Sequence, residues 1–85
     1  MALTRLQLRN RIIARLNKLR DELGQTITDL DWWNENRADA EPCDSGFERS
    51  LLHCVHKQLE AWETDDMVAV NRWQDRMIAI AGALP

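Results

Sequence analysis

Cys43, His53, Cys54 and His56 fall within fourteen positions of one another, and two cysteines with two histidines make a tetrahedral zinc set. The spacing works against it. If the segment after Gly46 is helical, His53 and Cys54 point about 100° apart, and Cys54 and His56 about 200° apart, so the three cannot meet on one ion. His53, His56 and Glu60 do share a face, which is equally the solvent side of an amphipathic helix. The expectation is two exposed histidines, a buried Cys54 thiol, and no metal or cofactor.

The other sources of chemistry are equally thin. Cys54 has His53 beside it in sequence but directed elsewhere on a helix, so no base is placed to activate the thiol. The three glycines, Gly24, Gly46 and Gly82, are too scattered to cradle a phosphate. No pair of carboxylates sits in an apolar setting that would separate their proton affinities. An enzyme is not expected.

Charge is distributed unevenly. Residues 1–20 hold six basic side chains and no acidic one, while the other 65 hold five basic and all fourteen acidic residues. Cations so concentrated suggest a nucleic-acid contact through Arg5, Arg9, Arg11, Arg15 and Lys18, as in a DNA-associated regulator. Their angular spread favours another reading. Arg5, Arg9 and Arg20 leave the face shared by Arg11, Arg15 and Lys18, so the cations fringe an apolar stripe on both sides and suit ion pairs with acidic helices. With an isoelectric point near 5.2 the chain also repels DNA at long range. Nucleic acid is the alternative partner, not the expected one.

The elements that position these residues follow from hydrophobic spacing. Leu8, Ile12, Leu16, Leu19 and Leu23 line one side of a helix, and Leu6 and Ile13 widen the stripe. Thr4 suits its N-cap. Gly24 resembles a stop, yet the pattern continues through Thr26, Leu30 and Trp33, with Ile27 beside the seam. A lone glycine costs about 1 kcal/mol, less than burial of those side chains returns. One helix from about 4 to 36 is therefore predicted.

Residues 38–44 lack periodicity and contain Pro42, which marks a loop. Ser45 and Glu48 are spaced as a capping box that opens a second helix, about 46 to 63, with Phe47, Leu51, Val55, Leu59 and Trp62 on one face. Thr64, Asp65 and Asp66 supply caps for a third, about 66 to 82, in which Val70, Trp73, Met77, Ile80 and Leu84 repeat the pattern. The short link makes the last two helices antiparallel. Residues 1–85 thus form a single all-α domain, a helical bundle of one long helix and an antiparallel pair.

Of the four tryptophans, Trp32 and Trp33 are adjacent and cannot face the same core. If Trp33 lies in the seam, Trp32 needs cover from the third helix, from a second copy or from a partner. Tryptophan is enriched at interface hot spots, so Trp32 and Trp33, rimmed by Asp29, Asp31 and Glu35, form the candidate partner-binding patch. An 85-residue chain buries only about 60–65% of its unfolded surface, which favours a homodimer. With no secretory leader or membrane span in the pattern, the cytoplasm is expected, where Cys43 and Cys54 stay reduced.

The basic first helix, the Leu30-Asp31-Trp32-Trp33-Asn34 segment and the Glu41-Pro42-Cys43-Asp44 loop with its cap resemble the small helical accessory proteins of temperate bacteriophages and prophages. That resemblance implies a module that binds and inhibits or modulates a larger host protein by covering its surface. It assigns no residue a role. A structural or assembly role is the further alternative.

Overall fold

A computed structural model of the chain describes residues 2–37, 42 and 44–82. Every regular element among them is a helix: α1 (Arg5–Asn36), α2 (Gly46–Glu63) and α3 (Met67–Gly82). This is the all-α bundle that the hydrophobic spacing predicts, with boundaries shifted by no more than a residue. Leu84 and Cys43 lie outside the described residues, as does most of the predicted loop.

Helix α1 starts at a reciprocal cap. The Thr4 hydroxyl accepts from the Gln7 amide at 3.1 Å, and the Gln7 side-chain oxygen accepts from the Thr4 amide at 3.0 Å, satisfying two donors that a helix start leaves unpaired. The helix then runs straight through Gly24. Leu23 and Ile27 on either side are both buried, and their packing outweighs the propensity deficit. The seam passes through Ile27 rather than Thr26. A four-residue step from Leu23 keeps to the buried face, whereas Thr26 is exposed and its hydroxyl donates to the Glu22 carbonyl at 2.9 Å.

The capping box predicted for α2 does not form. Ser45 has near-helical backbone angles, φ −104° and ψ 14°, which do not aim its hydroxyl at the N3 amide as an extended cap residue would. That hydroxyl instead accepts from Arg49 Nε at 2.8 Å, and Asp44 Oδ1 accepts from the Gly46 amide at 2.9 Å. Between α2 and α3 the chain reverses at Asp65, whose φ of 55° is left-handed. Asp66 then caps α3 by accepting from the Ala69 amide at 3.1 Å.

Helix α2 occupies the middle and runs antiparallel to both neighbours. At one end Arg9 donates to the Trp62 carbonyl at 3.0 Å; at the other, Arg49 Nη2 reaches both Asp31 oxygens at 3.0 and 2.9 Å. The core is Leu16, Leu23 and the fully buried Val55, surrounded by Ile12, Leu19, Leu51, Leu52, Leu59, Trp62 and Met77. Helix α3 joins the shared core through side chains such as Met77; no Cα atom of α1 comes within 8 Å of one in α3. The molecule is correspondingly long, 54 × 25 × 20 Å, with a radius of gyration of 15.7 Å where a compact chain of this length gives about 12 Å.

Candidate protein-docking surface on helix α1

Because the buried stripe of α1 runs through Leu16, Leu23 and Ile27, side chains two or more positions off that register face away from α2. Trp32 is one of them. It is 60% exposed, and Asp29 and Glu35, three positions before and after it, are exposed on either flank. The other two members of the predicted patch are engaged inside the chain. Trp33 is half-buried, with the Arg37 guanidinium 4.5 Å from its ring centroid. Asp31 holds Arg49 and so ties the end of α1 to the start of α2. The structure therefore divides the five residues into an outward group, Trp32, Asp29 and Glu35, and a pair engaged within the chain, the half-buried Trp33 and the surface ion-pair partner Asp31.

The predicted nucleic-acid residues divide in the same way. Arg9 is half-buried and spent on the Trp62 carbonyl. Arg5, Arg11, Arg15 and Lys18 are exposed and have no acidic partner within 4 Å among the described residues. The ion pairs expected between these cations and the acidic helices are not made among the described residues: α3 carries a single carboxylate, Asp75, and these four side chains lie off the stripe that α1 packs on α2. Of the six basic residues in the first twenty, Arg20 alone meets a carboxylate, that of its neighbour Asp21 at 3.4 Å.

A cleft of about 520 Å³ opens where α1 and α3 part, walled by Ile12, Leu19, Met67 and Val70 and floored by Gln58 and Trp62 of α2, with Arg15 at its rim. Gln58 is only 3% exposed, yet it was not among the predicted core residues. Its amide nitrogen donates to the Val70 carbonyl at 3.3 Å and to Gln74 Oε1 at 3.0 Å. Its own oxygen and the Trp62 indole N–H, both buried, have no hydrogen-bond partner. The sequence signal was slight: Leu51, Val55, Gln58 and Trp62 keep a 4-3-4 spacing in which one member is polar.

The residues with metal-binding side chains diverge. Cys54 is 3% exposed, His53 lies edge-on to Trp73 with centroids 5.6 Å apart, and His56 is exposed. Among the described residues no three His, Cys, Asp or Glu side chains are grouped to hold an ion. Nor is any helix there long and apolar enough to cross a membrane.

Comparison with protein-family models, with curated proteins and with solved structures found no match to this chain.

Proposed function

We propose that this chain is a small protein-binding module that docks on a larger protein through the outward flank of α1 and blocks or modulates it by covering its surface. The exposure of Trp32 carries the reading. A large aromatic left 60% exposed by its own fold, with carboxylates on both flanks, has the composition of an interface anchor with a polar rim. The complementary surface is an apolar pocket edged with cations. The resemblance to phage accessory proteins supports a host protein as the partner, met in the cytoplasm.

Affinity capture with tagged wild type and a Trp32→Ala variant tests this. Trp32 is 60% exposed and outside the core, so the variant is expected to keep its helicity and a stability within about 1 kcal/mol of wild type. It is expected to lose most of the partner captured by wild type, and equal capture by a folded variant removes the assignment.

A second reading, a DNA contact through α1, is favoured by the unpaired state of Arg11, Arg15 and Lys18. It requires duplex binding that weakens steeply with salt, and a chain that binds no duplex at low salt ends it. It ranks second because the lower half of the same helix is acidic.

A further inference from the structure

Helix α1 carries a second stripe besides the one it buries. Leu8, Arg11, Arg15, Lys18, Glu22, Gln25, Asp29 and Trp32 succeed one another at alternating intervals of three and four residues, and all eight are exposed. Such spacing draws a seam along a helix. Its order is chemical as well as geometric: a large apolar residue at each end, three cations in the upper part, and Glu22, Gln25 and Asp29 in the lower. The intervals read the same in both directions. Reversing the seam sets Leu8 opposite Trp32, Arg11 opposite Asp29, Arg15 opposite Gln25 and Lys18 opposite Glu22. The whole helix shares this polarity: residues 5–20 hold six cations and no anion, and 21–36 hold five anions and no cation.

Within one chain the arrangement is unfavourable. It opposes the helix dipole, since α1 has no acidic residue in its first turn and no basic residue in its last. Arg11, Arg15 and Lys18 repel one another at four- and three-residue spacing. Neither they nor Glu22 meet an opposite charge within 4 Å among the described residues, and Asp29 accepts only from the Gln25 amide, at 2.9 Å.

We infer that this seam is the interface between two copies of the chain, α1 packed antiparallel on α1, with the two-fold axis level with Arg20. The inference rests on the reading of the Trp32 flank as a docking surface, and it names what occupies that flank in the absence of the larger protein: the upper half of a second α1 offers an apolar residue, Leu8, among cations. Two-fold symmetry makes each match twice, giving four inter-chain ion pairs and two Trp32-on-Leu8 contacts, with the helix dipoles opposed. Duplex DNA is served less well, because half of the seam repels phosphate.

Sedimentation equilibrium of the full chain at low and high salt tests the inference. Wild type is expected to dimerise and to weaken as salt rises. Arg11→Glu with Lys18→Glu makes every paired charge of the seam acidic, leaving only Arg15 opposite the neutral Gln25, and Glu22→Lys with Asp29→Arg makes every paired charge basic. Each pair raises the dimer Kd about tenfold or more, while an equimolar mixture restores a heterodimer at least as tight as wild type. Circular dichroism checks that each stays helical; where a double variant does not, Lys18→Glu and Asp29→Arg alone serve, with smaller shifts of the same sign. A wild type that is monomeric at every concentration overturns the inference. So does a dimer indifferent to both reversals, or a monomer that binds labelled duplex through Arg11 and Lys18. A monomer that nevertheless loses its captured partner on Trp32→Ala defeats self-pairing and leaves the docking reading standing.

Discussion

Gln58 is the residue whose environment and chemistry disagree most. Its side chain is buried and bonded across to α3, its nitrogen is satisfied twice, and its buried oxygen has no hydrogen-bond partner. A buried acceptor left unpaired costs about 1–3 kcal/mol, while each neutral hydrogen bond contributes roughly 1 kcal/mol net. Gln58→Leu removes the orphaned oxygen together with two donated bonds, and the released Gln74 is exposed and rebonds to water. The expected outcome, by urea denaturation, is a protein within about 1 kcal/mol of wild type. A loss of more than about 1 kcal/mol would show that the two bonds outweigh the orphan. Trp32 is the opposite case, a largely exposed apolar side chain whose truncation, on the proposed reading, is expected to affect binding more than the fold.

For the elements, Gly24 gives the clearest measurement. It sits in the interior of α1, and a Cβ built on it meets nothing within 4 Å. Gly24→Ala therefore gains helix propensity without a clash, about 0.5–1 kcal/mol, which for a domain of this size raises the melting temperature by a few degrees. A lower melting temperature would mean that α1 bends there in solution. The continuity of α1 was legible in advance because Leu23 and Ile27 bracket the glycine at helical spacing. The same reasoning chose Thr26 over Ile27 by counting a three-residue step where the buried face takes four. The capping box at Ser45 was misread because a sequence motif carries no backbone angles, and those angles decide where the hydroxyl points. Gln58 was missed for a further reason. A helix packed on two sides buries a broader arc than one packed on a single side, and periodicity in one helix does not say how many neighbours it has. Of the candidate site, the exposure of Trp32 was readable from its offset from the seam, whereas the engagement of Asp31 by Arg49 depends on the packing of α2 and could not be read.

The whole molecule is elongated, 54 Å in its longest dimension. Its charge is sorted along α1, whereas the acidic residues Glu60, Glu63, Asp65 and Asp66 close α2 at the basic end of that helix, so the seam on the outward face of α1 is where the sorting is available to another surface. A second copy and a larger protein held by the same flank exclude each other. The captured complex is therefore expected to contain one copy of this chain per partner, and light scattering that finds two copies on one partner would place the larger protein elsewhere.

The isolation of α3 from α1 also has a thermal consequence. Helix α3 packs chiefly on α2, and Val70 is its one buried residue, so it is expected to open while α1 and α2 remain paired. Native-state amide hydrogen exchange is expected to rank the helices, with α3 protected by a smaller opening free energy than the centre of α2. Uniform protection across all three would mean that the chain opens as one unit and that the cleft beside α3 is no line of weakness.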